Sequence, residues 1–369
     1  MAEAAPILKT PLHASHVALG ARMAPFAGWE MPIQYKGILD EHRAVRESAG
    51  IFDISHMGEF FFSGPAAGSF LNELLTNDIS RLALGEGQYA FLLNDRGGVI
   101  DDLIAYRIGD QEYFLVVNAS KIDEDAAWFR AHMREGVSFH DRSPGMGAIA
   151  LQGPRALSVF GEAYGSDQPI PERFHIARFT VGDMRPWVAR TGYTGEDGVE
   201  IFSEAGEAPA LWDRLLAAGA TAAGLGARDT LRLESCYPLN GHELGPDRTP
   251  LEAGLGFAVA LDKRDGFVGA ETLRAQKAAG FKEKLVAFST DGPGAPPRAG
   301  YVLFHGADRV GEVTSGSYSP SMGAGIGMAY VATECAPPGT RLEMEVRGRL
   351  VPVVIRRKPL YKGGLYERT

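Results

Sequence analysis

The chain has few of the residues that build disulfide frameworks or metal sites. Its 369 residues include only two cysteines, Cys236 and Cys335, and their spacing matches no metal-ligand pattern. Two cysteines are too few for a disulfide scaffold, so we expect a reducing compartment and no catalytic thiol. His56 and His242 each stand beside glycine and other residues in a setting typical of hydrogen-bonded structural histidines. The sequence therefore predicts no metal site.

Long apolar runs and an excess of positive charge are also absent. No stretch approaches the roughly 18 consecutive apolar residues that a membrane-spanning helix needs. The first six residues, Met1 to Pro6, lack the basic end and the apolar core of a secretion signal. A formal net charge of −9 opposes binding to the phosphate backbone of nucleic acid. We expect a cytoplasmic protein with neither nucleic acid nor membrane as partner, and a mature mitochondrial-matrix form fits the same features.

The composition is typical of a soluble globular chain that is large enough for two or three lobes, with 45% hydrophobic and 22% charged residues. Apolar spacing predicts helices over 38–48, 122–134, 208–218 and 226–234, and strands over 57–63 and 112–118. From about residue 282 onward glycine, proline, valine and short alternating runs dominate. This change predicts a separate all-β module at the C-terminal end.

Two segments place acidic residues among glycines and strand-like apolar neighbours, at 97–103 (GGVIDDL) and 192–200 (GYTGEDGVE). A carboxylate in an apolar strand costs free energy unless it is paired or faces a ligand, so the two segments suggest one polar cavity. Neighbours on a strand point to opposite faces, so only one of Asp101 and Asp102 can enter a given cavity. Alternation does not say which of the two enters. The alternative is that one aspartate caps a turn and the other lies in solvent. Residues 195–198 are typical of a hairpin loop.

Two arginines one turn apart, Arg228 and Arg232, lie in the predicted helix 226–234. Like charges at this spacing weaken an isolated helix by a few tenths of a kcal/mol, so an anion facing them is one explanation. Asp229 or Glu234 on the same helix, or a solvated face, is the other.

Seven segments stand in a recognisable order: 26–32 (FAGWEMP), 50–59 (GIFDISHMGE), 97–103, 151–154 (LQGP), 190–200, 225–234 (LGARDTLRLE) and 313–316 (VTSG). Together they resemble the aminomethyltransferase family of the glycine cleavage system, the T-proteins. The resemblance covers the whole chain. It implies a tetrahydrofolate-dependent enzyme that moves the aminomethyl carbon from the lipoyl arm of a carrier protein, the H-protein, to tetrahydrofolate. The products are 5,10-methylenetetrahydrofolate, ammonia and dihydrolipoyl carrier, and neither a metal nor a covalent nucleophile is required.

The family's fold, as the resemblance implies it, is α+β, with three lobes around a central folate channel. The implied bounds are residues 1–50 plus 146–270 for one α+β lobe, 51–145 for a second, inserted α+β lobe, and 271–369 for a C-terminal β-barrel. The barrel agrees with the β-rich composition after residue 282, whereas the division before it comes only from the resemblance. A monomer is the family expectation.

The resemblance also implies roles for individual residues. The family's key aspartate falls on Asp102, with Asp101 as its structural partner, and a positioned acid or base contributes about 10² to 10⁴ in rate. Glu200 matches the pterin-binding carboxylate and Arg228 the folate-binding arginine. Four further residues match positions that line the same channel: Tyr193, Tyr89, Asn118 and Met57. For Met57 and Tyr89, plain core packing is the alternative. Arg298 matches the lip around the carrier arm, and the tail 359–362, which departs from the family's aromatic run, stays unassigned.

Two other functions compete with aminomethyl transfer. A folate-binding repair or assembly factor of the same superfamily carries a Lys-Gly-Cys-Tyr-x-Gly-Gln type of motif, but residues 265–271 (DGFVGAE) contain no cysteine. A stand-alone demethylase of a small methylated compound would share the folate site and need no lipoyl carrier. Release of ammonia from the loaded carrier, and no turnover of free methylated amines, would distinguish the transferase.

Overall fold

The structure of the chain, a computed structural model, describes residues 7–292 and 294–366. The N-terminal segment 1–6, on which the expectation about secretion rests, lies outside the described residues. Within the two described ranges, no helix has both the length and the apolarity that crossing a membrane requires.

The described residues form eight α-helices and nineteen strands in mixed order along the chain. The helices are α1 (His13–Ala18), α2 (Ile38–Glu47), α3 (Ala67–Leu74), α4 (Ile122–Ala131), α5 (Ala156–Tyr164), α6 (Ala208–Ala217), α7 (Leu225–Glu234) and α8 (Ala270–Ala279). The first thirteen strands are β1 (Arg22–Phe26), β2 (Trp29–Gln34), β3 (Gly50–Asp53), β4 (Gly58–Ser63), β5 (Gly87–Leu93), β6 (Val99–Gly109), β7 (Glu112–Val117), β8 (Ser138–Asp141), β9 (Met146–Gln152), β10 (Ile176–Arg178), β11 (Trp187–Ala189), β12 (Gly198–Glu204) and β13 (Thr221–Ala222). The last six are β14 (Glu283–Thr290), β15 (Val302–His305), β16 (Asp308–Ser319), β17 (Ala324–Ala332), β18 (Arg341–Val346) and β19 (Arg349–Arg356).

The strands assemble into two open sheets, a short hairpin and a barrel. One sheet has six strands in the order β10-β11-β12-β9-β3-β13, and the other has five in the order β5-β6-β7-β4-β8. Strands β1 and β2 form the hairpin, and β14 to β19 close into the barrel in the order β14-β17-β16-β15-β18-β19. The predicted fold class, mixed α and β with a C-terminal β-barrel, is confirmed.

The chain leaves the six-stranded sheet after β3 and returns to it at β9. Between these strands it builds the whole five-stranded sheet, and β3 itself pairs with β9 in antiparallel register. On this topology we propose three lobes as in the division above, with the first boundary moved from residue 50 to the end of β3 at Asp53. The extreme ends of the outer ranges, 1–6 and 367–369, lie outside the described residues.

Each sheet is covered by helices that bury large side chains against it. Trp212 on α6 is fully buried in the core beside the six-stranded sheet, and Phe129 on α4 is fully buried with Phe60 and Phe62 beside the five-stranded sheet. Phe288 lies in the core of the barrel. Burial of one such side chain stabilises the folded state by about 1.5–3 kcal/mol. These separate cores hold the elements that carry the polar residues described below.

Helix α7 begins where it does because the backbone is pressed against β2. A Cβ atom on Gly224, the residue before α7, would lie 2.3 Å from the carbonyl oxygen of Ile33, so glycine is required there. The amide of Gly224 donates to Glu41 Oε2 at 2.9 Å, while Oε1 of the same carboxylate accepts from the backbone before α2, including Tyr35 N at 2.6 Å. One buried carboxylate therefore ties the starts of α2 and α7 together, and α7 carries Arg228.

Candidate functional site

The turn before β6 brings the paired aspartates against a distant loop. Gly97 has a φ of +78°, and a Cβ atom on Gly98 would lie 1.9 Å from the carbonyl oxygen of Pro246. Asn94 Oδ1 accepts from Gly98 N at 3.0 Å and Asn94 Nδ2 donates to the Pro246 carbonyl at 2.9 Å. The glycines at 97 and 98 thus supply the positive φ and the close backbone approach that this segment needs.

Asp102, on β6, is a half-buried carboxylate held by neutral donors. Its Oδ2 accepts from the Tyr89 hydroxyl at 2.8 Å and its Oδ1 from Asn118 Nδ2 at 3.0 Å. Burial, together with the nearby charge of Asp101, raises the pKa of Asp102 to about 7, although these donors favour the ionised form. Asp102 is therefore poised to exchange a proton near neutral pH.

Asp101 is fully buried beside it and fully engaged with amides. Its oxygens accept from Asn118 N at 3.0 Å, from Asn118 Nδ2 at 2.8 Å and from Asn240 Nδ2 at 3.1 Å. The same Asn118 amide bridges both carboxylates. Asn118 Nδ2 also donates to the Asp102 backbone carbonyl at 3.0 Å, so this amide lies at the backbone of β6, from where it reaches the side chains on both faces. Of the two, only Asp102 keeps accessible surface.

A second polar group lies on β12 and α7. Glu200 Oε2 accepts from the Thr191 hydroxyl at 2.5 Å, and no group in the described residues donates to Oε1. Burial raises the pKa of Glu200 even though Thr191 and the charge of Arg228 favour its ionised form. Arg228 forms neither an ion pair nor a hydrogen bond within the described part of the chain. Its guanidinium lies over the ring of Tyr193, 4.7 Å from the ring centre.

Tyr193 joins the two polar groups. Its hydroxyl donates to the carbonyl of Pro238, and its ring stacks on that of Tyr237 with 5.7 Å between centres. The charges of Arg232, Asp102 and Arg228 all act on the Tyr193 hydroxyl, so it lies near Asp102 as well as near the arginines of α7. Asp102, Tyr193, Arg228 and Glu200 are all half-buried and act on one another, and we call this group the acid–arginine recess.

The two arginines of α7 have different partners. Arg232 is 2% exposed and pairs with Asp229 Oδ1 at 2.9 Å and with Glu243 Oε2 at 3.1 Å. For Arg232 the explanation by a neighbour on the same helix is therefore correct in part, with Glu243 as a second partner. Arg228, one turn earlier, lacks any such partner in the described residues. An unpaired guanidinium in a recess is available to an anionic or polar ligand.

Two other residues named from the sequence make contacts of a different kind. Met57 packs against the core cluster that includes Phe52 and Leu231, so its described contacts are those of core packing. Arg298 lies on an exposed loop before the barrel strand β15 and donates to the Gly316 carbonyl at 3.2 Å.

The histidines fill structural positions. His56 is buried with its ring edge against Phe26, and burial lowers its pKa to about 4, so it is neutral. The sequence also holds a His-x-x-His spacing at His13 and His16, which sequence reasoning overlooked. His13 pairs with Glu30, and His16 bonds Asp53 at 2.8 Å, so the two rings face different carboxylates. No set of three or more His, Cys, Asp or Glu side chains in residues 7–292 and 294–366 is arranged to hold a metal ion.

Sequence reasoning missed three residues that shape the recess. Asn240 holds Asp101, Thr191 holds Glu200, and Asp125 lies against Asp101. Thr191 belongs to the segment 190–200 that the sequence analysis names, whereas no local sequence pattern indicates a role for Asn240 or Asp125. The unassigned tail packs on α7, where the amides of Leu360 and Tyr361 donate to the Glu234 carbonyl at 3.0 and 2.9 Å.

Comparison with known proteins gives consistent results. Residues 12–263 match the family "GCVT N-terminal domain" and residues 283–362 match "Glycine cleavage T-protein C-terminal barrel domain". The chain is 47% identical to an aminomethyltransferase of Rubrobacter xylanophilus, over 96% of this chain and 94% of the relative, and 42% identical to one of Synechococcus elongatus, over 98% of each. The crystal structure of the glycine cleavage system aminomethyltransferase T from Bartonella henselae superposes with a TM-score of 0.90 at 34% identity, covering 97% of this chain and 99% of that one.

Proposed function

The chain belongs to the aminomethyltransferase family of the glycine cleavage system, the T-proteins, and on this premise we propose that its acceptor is tetrahydrofolate and its donor a lipoyl-bearing carrier protein. The chain is a transferase that moves an aminomethyl group. In the proposed reaction, tetrahydrofolate supplies the amine nitrogens that take up the one-carbon unit as a methylene bridge, while ammonia and the dihydrolipoyl carrier are released.

The residues of the acid–arginine recess fit a folate. Glu200 Oε1 is an acceptor that no described residue uses, and Arg228 offers donors that no described residue takes up. A carboxylate oxygen suits the N–H groups along a pterin edge, and the guanidinium suits polar acceptor atoms of the same ligand. This pair of unfilled hydrogen-bonding groups beside Tyr193 is the observation that carries the proposal. We assign folate binding to Glu200, Arg228 and Tyr193.

Asp102 is the proposed catalytic residue at the other end of the recess. Tyr89 and Asn118 each occupy one of its oxygens and leave further lone pairs for a ligand. With a pKa near 7, the carboxylate can hold or accept a proton at neutral pH, where a positioned acid or base contributes about 10² to 10⁴ in rate. Tyr89 and Asn118 are therefore proposed to act on the folate end through Asp102, and Met57 stays a weaker proposal because its contacts are apolar.

Calorimetric titration of tetrahydrofolate into folded variants tests the folate assignment. Glu200→Gln replaces an acceptor oxygen by an NH₂ donor and should weaken binding by about ten- to a hundredfold, equal to roughly 1.5–3 kcal/mol. Arg228→Lys should also weaken it, because a point charge cannot reproduce a planar fork of donors.

Two control variants are available, one on the strand that carries Glu200 and one beside the loop that carries Tyr193. Glu204→Gln changes an exposed carboxylate of β12 that pairs with Arg142, and Arg190→Lys changes an arginine that pairs with Asp197. Neither control should alter folate affinity. Wild-type affinity in folded Glu200→Gln would make Glu200 a strand-end carboxylate with no ligand and would overturn the assignment.

A further inference from the structure

A third carboxyl group lies behind the two aspartates of β6. Asp125, on α4, is 0% exposed, and no N–H or O–H group in the described residues donates to either of its oxygens. The group that it meets within hydrogen-bonding contact is itself a carboxyl, that of Asp101. Two buried carboxyl groups in contact need one proton between them, since two anions would repel each other without water to screen them.

The charged groups around Asp125 do not supply an alternative partner. On its own segment, Lys121 pairs with Glu124 at 2.7 Å, and Asp125 itself forms no ion pair within the described residues. From β6 it faces Asp101, which is already held by the amides of Asn118 and Asn240. Burial, with the charge of Asp101 adding to it, raises the pKa of Asp125 to about 11. Three N–H donors stabilise an anion on Asp101 and none in the described residues reaches Asp125, so the proton of this carboxyl pair belongs on Asp125.

We propose that Asp125 is a positioning residue for Asp102: it is a neutral carboxylic acid that donates a hydrogen bond to Asp101 and keeps Asp101 an anion. The inference rests on the catalytic role proposed for Asp102. Anionic Asp101 holds Asn118 by two hydrogen bonds, and Asn118 Nδ2 in turn bonds Asp102 Oδ1. The same negative charge raises the proton affinity of Asp102. Asp125 thus sets both the place and the protonation of Asp102 without touching a ligand.

Removal of the donor should change Asp102 in a defined direction. Without the hydrogen bond from Asp125, buried Asp101 takes up a proton itself and loses its charge. The groups that face Asp102 are then Asp101 in neutral form, Tyr89, Asn240, Asn118 and, farther away, the Tyr193 hydroxyl. Because the like charge is gone, the pKa of Asp102 should fall by at least about one unit.

Two variants with the same branched shape and the same number of side-chain heavy atoms separate this role from packing. Asp125→Asn keeps a donor, since its amide N–H can bond Asp101, whereas Asp125→Leu fills the same space and has none. We expect the acid limb of kcat/KM against pH to stay in place for Asp125→Asn and to move at least about one unit lower for Asp125→Leu. If Asp125 served only to pack the core, both variants would change stability, and the acid limb of kcat/KM would stay at the wild-type pH in both.

Carbon-13 NMR of protein labelled at the aspartate carboxyl carbons gives a readout that does not depend on turnover. The Asp125 resonance, assigned by its absence in Asp125→Asn, should show no titration between pH 5 and about 9. The Asp102 resonance is assigned by its absence in Asp102→Asn. Its titration should move to lower pH in Asp125→Leu and stay at the wild-type pH in Asp125→Asn.

The outcomes are distinct. Titration of wild-type Asp125 near the ordinary value of about 4 would overturn the proposal even if Asp125→Leu failed to fold. Identical Asp102 titration in wild type and folded Asp125→Leu would overturn it as well. If Asp102→Asn kept full activity, the catalytic role of Asp102 would be wrong, while the NMR titrations would still decide whether Asp125 is the protonated partner of Asp101.

Discussion

Tyr89→Phe removes a single hydrogen bond from the proposed catalytic carboxylate and should shift its protonation. The Tyr89 hydroxyl donates to Asp102 Oδ2 at 2.8 Å and favours the ionised form of Asp102. Loss of a hydrogen bond to a charged group costs about 1.5 kcal/mol, which corresponds to roughly one pKa unit. The donor stabilised the charged form, so the pKa of Asp102 should rise, from about 7 toward about 8.

The ratio of variant to wild-type kcat/KM across pH is the measurement, with ammonia release from the loaded carrier as the assay. If ionised Asp102 is the active form, the ionised fraction at pH 7 falls from about one half to about one tenth, so the ratio should be near one fifth. At pH 9 both proteins are about nine tenths ionised or more, and the ratio should return toward one. The ratio of the two kcat/KM values does not depend on the titration of the substrates, because both proteins act on the same substrates.

Tyr164→Phe is the matched control, because the Tyr164 hydroxyl donates to the Leu211 carbonyl at the same 2.8 Å but lies in the core beside α5 and α6. It should lower stability and leave the pH dependence unchanged. A Tyr89→Phe ratio that stays constant from pH 6 to 9 would refute the reasoning, since Tyr89 would then act only through packing or binding.

Three further predictions follow from the same contacts. Asp102→Asn should remove most turnover, while Asp101→Asn, at a fully buried position, should lower the thermal midpoint and move the acid limb of kcat/KM to lower pH but keep turnover at neutral pH; equal catalytic losses in two folded variants would contradict the division. Burial raises the pKa of the Cys236 thiol to about 11, so replacing Cys236 and Cys335 by Ala should leave ammonia release intact, and a folded but inactive double variant would reveal a missed thiol step. Arg298→Ala should raise the KM for the carrier and leave folate affinity unchanged in calorimetry; a wild-type KM would remove Arg298 from the proposed carrier contact.

Local sequence patterns predicted four of the eight described helices and missed α1, α3, α5 and α8. The predicted helices 38–48, 208–218 and 226–234 correspond to α2, α6 and α7 to within one residue at each end. The helix predicted over 122–134 ends at Ala131, where the His132 amide bonds back to the Phe129 carbonyl. Apolar spacing continues to Met133, so periodicity alone extends the helix, whereas the chain turns before Gly136.

Long-range pairing could not be predicted from the same patterns. That β3 and β9 share a sheet while the strands between them form another depends on contacts about a hundred residues apart. Asp101 and Asp102 pair regularly with Leu92 and Phe91 of β5, and Asp101 is buried while Asp102 is half-buried, as strand alternation predicts. What alternation could not predict is the position of Asn118, which depends on the neighbouring strand β7. From the end of β7, the amide of Asn118 reaches both carboxylates.

Asp125 shows why some site residues are invisible in the sequence. It stands in the first turn of α4 with Asp123 and Glu124, and acidic residues there are ordinary because they interact favourably with the helix dipole. Asp123 and Glu124 are exposed, whereas Asp125 is fully buried. Only the packing of α4 on the sheet separates a buried carboxyl from two common helix-start acids. Asn240 is likewise brought to Asp101 by a loop 139 residues away.

The two ends of the acid–arginine recess are built from different kinds of partner, and the difference sets their chemistry. Within the described residues no Lys or Arg pairs with Asp102, whose donors are the Tyr89 hydroxyl and the side-chain amides of Asn118 and Asn240. A cation there would lower the pKa of Asp102 by about 1–3 units and fix it as an anion at neutral pH. Neutral donors instead hold the carboxylate in place and leave its proton exchangeable. At the other end the charge of Arg228 favours ionised Glu200, as a group that accepts hydrogen bonds from a ligand requires. On the assignments proposed above, the placement of one arginine separates the group that exchanges a proton from the group that binds the ligand.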